Sequence, residues 1–189
     1  EGAVLVEGSP ALRAIQREAV PQAAWHHDLS TVPCNGPLLL LANEFLDALP
    51  VRQLVMTENG WRERMVVPDG ETFACIAGDR RMDAAVPEAR QTAEAGAILE
   101  TNPAAAAVFQ EGSERLAAQE GTALFVDYGY DAPRFGSSLQ AVKAHRKVDP
   151  FADPGEADLT AHVDFAALAE IAQAAGARWL GTEPQGAWL

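Results

Sequence analysis

Four consecutive leucines, Leu38 to Leu41, are entered through Asn35-Gly36-Pro37 and run straight into Ala42-Asn43-Glu44-Phe45-Leu46-Asp47, with Pro50 closing the stretch. An apolar block this short, bounded by turn residues, reads as a strand. An unbroken one is expected to be buried on both faces, as in helix-covered parallel sheets. The fold class expected is therefore α/β, a doubly wound and mostly parallel sheet. In such sheets ligands lie beyond the carboxyl ends of the strands, where this sequence sets a carboxamide and two carboxylates: Asn43, Glu44 and Asp47. A second reading stays open, in which Asn43 caps a helical turn and Glu44 and Asp47 favour its positive N-terminal end.

Other segments fit the same sheet. Ala3-Val4-Leu5-Val6 is a short strand ending at Glu7, followed by Gly8, Ser9 as a cap, Pro10 in the first helical turn and a helix to about Val20. Glu7 is placed to accept from ribose hydroxyls, although an acidic residue there is also a common helix-start residue. Ala23 to Asp28 reads as a further strand, with Asp28 near where such folds contact adenine. His26 and His27 beside Asp28 are not expected to bind metal, because neighbouring side chains on a strand point to opposite faces. Thr122 to Val126 is another buried strand and delivers Asp127 and Tyr128 to the same edge. Two strands ending in acidic residues on one side point to a site more strongly than either alone.

Between these elements the pattern changes. Residues 51–78 alternate, with turns at Glu58-Asn59-Gly60 and Pro68-Asp69-Gly70, and are expected to form an inserted antiparallel ribbon that roofs a groove or merely covers the sheet edge. Arg80 to Arg90 reads as a polar connection, and Thr101-Asn102-Pro103 opens a helix to about Gln119. Residues 130–163 read as a long loop of active-site type. It carries Lys143, His145, Arg146 and Lys147, then Asp149, Asp153, Glu156 and Asp158, which alternatively form only solvated local ion pairs. A helix from Asp164 to Ala175 closes at Gly176, and Ala177 to Leu180 reads as a last strand.

The 189 residues suit one domain, and the formal charge of −13, with 14 Lys and Arg, argues against nucleic-acid binding and suits a cationic partner. No apolar run approaches the ~20 residues of a membrane span, and no secretion signal is visible. A cytoplasmic or mitochondrial matrix protein is the expectation, with Cys34 and Cys75 as reduced thiols. Nothing here fixes the oligomeric state.

The run Asn43-Glu44-Phe45-Leu46-Asp47-Ala48-Leu49-Pro50-Val51-Arg52-Gln53 closely resembles the signature of the MidA-like family of class I S-adenosylmethionine-dependent methyltransferases. Further matches follow in order: Glu7-Gly8-Ser9-Pro10 with Leu12 and Gln16, Trp61 to Arg64, Val126-Asp127-Tyr128-Gly129, and Leu139 to Phe165 with few interruptions. The resemblance implies S-adenosyl-L-methionine as cofactor and, from the mitochondrial relatives, a protein arginine as acceptor and a link to assembly of respiratory complex I. It implies Glu44, Asp47 and Asn43 as catalytic residues, and Glu7, Asp28 and Asn43 on the cofactor. Asp127, His145, Arg146 and His162 would face the substrate. The family carries a glycine-rich turn before the Glu7 position and continues past residue 189, so the chain is expected to be cut at both ends and, without that cofactor turn, not to be active by itself. Two rivals remain: a non-catalytic assembly scaffold that keeps the fold, and a nicotinamide-dependent oxidoreductase that uses Glu7 on a dinucleotide ribose.

Overall fold

Two pairs of parallel strands carry the α/β part of this chain, whose computed structural model describes residues 2–189. β1 (Val4–Val6) pairs with β2 (Ala24–His26), and β3 (Leu38–Asn43) pairs in register with β8 (Gly121–Val126), so that Asn43 lies opposite Val126. Between β1 and β2 runs α1 (Pro10–Ala19), whose cap Ser9 accepts from the Leu12 N–H, as the sequence suggests.

α2 (Pro103–Gln119) covers β3 and β8 on one side: Leu40 approaches Gly112 closely enough that a Cβ there would touch it, and Phe109 stacks at an angle on Phe125 with 4.7 Å between ring centroids. The other side is open. Leu39 is 80% and Leu41 71% exposed, so the described residues cover only one face of a strand expected to be buried on both. Four leucines in a row carry no alternation, and the sequence therefore cannot report which face is covered. α3 (Phe165–Ala174) packs beside α2 and begins at Asp164, which accepts from the Ala167 N–H at 3.0 Å. Leu46, Ala105, Phe109, Val163, Phe165, Leu168 and Ala172 form the core between them.

The inserted ribbon is larger than residues 51–78. β4 (Arg52–Thr57), β5 (Gly60–Asp69), β6 (Thr72–Arg81) and β7 (Ile98–Thr101) form an antiparallel sheet in the order β6-β5-β4-β7. Its core joins Leu54, Trp61 and Leu99 to Met82 and Val86, so the connection through residues 80–90 supplies two buried side chains and is not simply polar.

The segment 130–163 is not a structureless loop. β10 (Gln140–Lys143), β11 (Arg146–Val148) and β12 (Asp158–Thr160) make a small antiparallel sheet, and β9 (Gly129–Tyr130) runs parallel to β13 (Val163–Asp164). Strands of two to four residues are too short to show a period, and the β10–β11 turn uses Ala144 and His145 with φ of 50° and 60° where glycine would have signalled it. Ala177 to Leu180 is also a correction. It forms no strand; Trp179 instead packs on Phe109 with 6.1 Å between centroids. Among the described residues no helix is long and apolar enough to cross a membrane.

Candidate active site

The turn that follows β3 is tied down from several directions. Glu44 takes a left-handed conformation, φ 47°, and its N–H donates to the Val126 carbonyl at 2.8 Å. The next three N–H groups, of Phe45, Leu46 and Asp47, all donate to one oxygen, Oδ2 of Asp127, at 3.2, 2.9 and 3.3 Å. Its Oδ1 accepts from the Tyr128 N–H at 2.9 Å. Asn102, the cap of α2, donates to the Leu49 carbonyl at 3.0 Å, and the Ala161 N–H donates to the Asp47 carbonyl at 3.0 Å. Leu46 is fully buried in the core.

This geometry corrects two expectations. Asn43 does not cap the turn; a carboxylate from β8 does. Asp127 is accordingly committed through Oδ2 to the framework of the turn, where it accepts three hydrogen bonds, while Oδ1 keeps acceptor capacity.

Three acidic groups nevertheless meet here. Asp47 is 6% exposed, and no cation among the described residues pairs with its carboxyl; the nearby backbone N–H groups of Ala48 and of Asp47 itself offset its burial only in part. Burial pushes its pKa above the usual carboxylate range, and the negative charges of Asp127 and Glu44 push it further the same way. Glu44 is exposed, and neither its carboxylate nor the Asn43 amide is engaged by another described side chain. Asn43, Glu44, Asp127 and Tyr128 line one end of a cavity of about 950 Å³ that extends along the outer edge of β8 to residues 176–183.

Glu7 stands at the carboxyl end of β1 and lies outside that cavity. Its Oε1 accepts from the Ser9 N–H at 2.8 Å and its Oε2 from Gln16 Nε2 at 3.2 Å, while Gln16 Oε1 accepts from the Trp25 indole at 3.2 Å. Each oxygen carries one such bond and keeps acceptor capacity, so the oriented carboxylate fits a vicinal diol. Asp28 follows β2 on the parallel partner strand and is exposed; a hydrogen bond from the Ser30 hydroxyl is the main cause holding its carboxyl below the ordinary range.

The remaining expected contacts are not gathered at the turn. His145 and Arg146 sit at the exposed tip of the β10–β11 hairpin, the end opposite to the Gln140–Thr160 pairing that adjoins Ala161. His162 is closer in the chain to the tether at Ala161, and its N–H donates to Ser138 Oγ at 2.8 Å. Behind it lies a buried network that the sequence did not disclose. Glu100 accepts from Gln53 Nε2 at 2.7 Å, from the Ser138 N–H at 3.0 Å and from the Ser138 hydroxyl. The clue available was Glu100 itself, a charged residue between Ile98-Leu99 and the helix start, a place where only a satisfied carboxylate is tolerated.

Residues 2–183 match the model of a family described as "putative S-adenosyl-L-methionine-dependent methyltransferase". Among curated proteins, the mitochondrial protein arginine methyltransferase NDUFAF7 of Mus musculus is 36% identical over 168 residues, 86% of this chain and 37% of its own length. That of Homo sapiens is 35% identical over 168 residues, 88% of this chain and 37% of its own. The chain thus spans just over a third of these relatives. Two solved structures from Burkholderia thailandensis are similar across 93% of the chain. One, of an uncharacterized protein, has a TM-score of 0.72 at 30% identity and is covered over 50% of its length. The other, of a member of the same superfamily bound to S-adenosyl-homocysteine, has a TM-score of 0.70 at 32% identity and is covered over 48%.

Proposed function

The chain belongs to this S-adenosyl-L-methionine-dependent methyltransferase family, and we propose that its Asn43–Pro50 turn forms the acceptor side of a site that methylates a protein arginine. One observation carries the reading: among the described residues, an exposed Glu44 carboxylate with no side-chain partner is held in a left-handed turn beside a buried Asp47 with no cationic partner. Such a pair suits a cation brought from outside, and the names of the mitochondrial relatives supply arginine as that cation.

When bound, S-adenosyl-L-methionine supplies a methyl group already activated by a positive sulfur. Glu7, with its oxygens oriented by Ser9 and Gln16, holds the ribose hydroxyls. Glu44 accepts from two N–H groups of the guanidinium, fixes its plane, and draws positive charge towards itself and away from the attacking nitrogen. Positioning supplies most of the acceleration, because the transfer asks only that nitrogen and methyl meet at ~3 to 3.5 Å in line. With the methyl donor bound, the guanidinium nitrogen that accepts the methyl group would have a proton to lose. Asp47, whose burial raises its affinity for protons, would receive it. Asn43 orients either partner through its free amide. The same reading places the protein in a reducing compartment, bacterial cytoplasm or mitochondrial matrix, consistent with free thiols at Cys34 and Cys75. A part in complex I assembly would follow if the acceptor is a subunit of that complex.

The test combines calorimetry with turnover. With the segment upstream of Glu7 restored, S-adenosyl-homocysteine is expected to bind saturably and NADH not at all. Glu44→Gln is expected to keep that affinity and to lose about a hundredfold or more of methyl transfer to an arginine-rich peptide. Undiminished turnover in that variant removes the mechanism, and binding of NADH alone removes the cofactor.

A further inference from the structure

We infer that Asp127 is a positioning residue for methyl transfer, acting through Glu44: its carboxylate is the internal anion around which the acceptor turn is built. The inference rests on the acceptor reading above for its catalytic half only. Three successive N–H groups converging on one point form a concave anion site of the kind that elsewhere captures phosphate or carboxylate ligands. Here the anion is a side chain of the protein, delivered by β8 from 80 to 82 residues further along the chain. Two consequences follow from the geometry. The positive end of the turn is already neutralised, so it offers nothing to an anionic ligand, and the exposed Glu44 beside it faces an incoming cation without competition. The left-handed Glu44 conformation, unfavourable by about 1 kcal/mol or more for a residue with a side chain, is also held in place. Its own N–H and the three N–H groups after it all bond to Val126 and Asp127 at the end of β8. Removing Asp127 would release the N–H groups of residues 45–47 while leaving β3 paired to β8, because none of the register between those strands depends on this side chain.

The experiment compares wild type, Asp127→Ala and Asp127→Asn, each with and without Glu44→Gln. Amide hydrogen exchange is read at Phe45, Leu46 and Asp47, binding is read with S-adenosyl-homocysteine, and turnover uses the arginine-rich peptide. Asp127→Ala is expected to speed exchange at those three amides by about tenfold or more while amides in α2 stay protected. Its kcat is expected to fall by about tenfold or more, with KM for S-adenosyl-L-methionine changing less than about threefold. Asp127→Asn, which keeps an acceptor oxygen, is expected to recover most of that loss. In the Glu44→Gln background Asp127→Ala should cost less than about twofold further, since one residue acts through the other. Unchanged exchange in Asp127→Ala overturns the clamp. Additive losses in the double variant, or a KM effect equal to the kcat effect, overturn its catalytic role. A wild type that, with the segment upstream of Glu7 restored, neither binds S-adenosyl-homocysteine nor turns over defeats the methyltransferase reading instead, and the exchange data still decide the clamp.

Discussion

Leu46 and Phe45 are neighbours on one turn with opposite surroundings, and truncating each to alanine separates the packing of that turn from its exposed face. Leu46 is 0% exposed and lies among Ala105, Phe109, Val163, Phe165, Leu168 and Ala172, side chains carried by α2, β13 and α3. Leu46→Ala deletes three carbon atoms, about 2.4 kcal/mol of transfer free energy at about 0.8 kcal/mol each. The walls around it belong to two helices and a turn held by several hydrogen bonds, so they close poorly over the gap. The cavity brings the expected loss to about 3–5 kcal/mol. Phe45 is 38% exposed and belongs to no buried cluster, so Phe45→Ala is expected to lose no more than about 1.5 kcal/mol. Urea unfolding followed by circular dichroism measures both. The m-value should stay constant, so that midpoint shifts report stability alone. Equal losses in the two variants, or a loss under about 1 kcal/mol for Leu46→Ala, would refute the claim that this turn is anchored through Leu46 and leaves Phe45 outside the core.

Asp47→Asn should stabilise the protein by about 0.5–2 kcal/mol at neutral pH while impairing turnover, the trade-off expected of a functional buried charge. Because its folded pKa is raised, chiefly by burial, the wild type binds that proton more tightly folded than unfolded and loses stability as pH rises from 3.8 through the folded value; urea midpoints across that window should fall less in the variant, and an equal fall refutes it. Gly129→Ala should disrupt the β9–β13 pairing, since a Cβ there would sit 2.3 Å from the Val163 carbonyl and 2.6 Å from the Phe165 ring. A loss of at least about 2 kcal/mol in the same assay is expected, and a loss below about 0.5 kcal/mol would contradict that close approach.

How far the sequence discloses this arrangement depends on how local the cause of each feature is. The strands β1, β2, β3 and β8 and the helices α1, α2 and α3 are visible because periodicity, run length and caps such as Ser9, Asn102 and Asp164 act within a few residues. β7 is hidden: its four residues precede a strong helix start at Asn102-Pro103, and what makes them a strand is pairing with Arg52–Val55, more than forty residues earlier. The covered face of β3 depends on where α2 lands, which a run of identical leucines does not encode. The comparisons bear out the family and the α/β methyltransferase fold, both of which the Asn43–Gln53 signature suggests.

Residue roles follow the same rule at finer scale. Glu44 and Asp127 both stand out as carboxylates after strands, and nothing local separates them. Their difference lies in partners: Asp127 meets backbone N–H groups about eighty residues away, and the Glu44 carboxylate meets none among the described residues. The turn is fixed at Glu44 N–H by Val126, at residues 45 to 47 by Asp127, at Leu46 by the core, at the Asp47 carbonyl by Ala161 and at the Leu49 carbonyl by Asn102. Each tether consumes a group that could otherwise have met a ligand. What remains unconsumed is the Asn43 amide, the Glu44 carboxylate, the Phe45 ring and the poorly satisfied Asp47 carboxyl. Rigidity and reactivity are therefore divided along a single eight-residue turn. The groups available for chemistry are identified by what the fold has left over, a distinction invisible to residue type and legible only once the long-range hydrogen bonds are known.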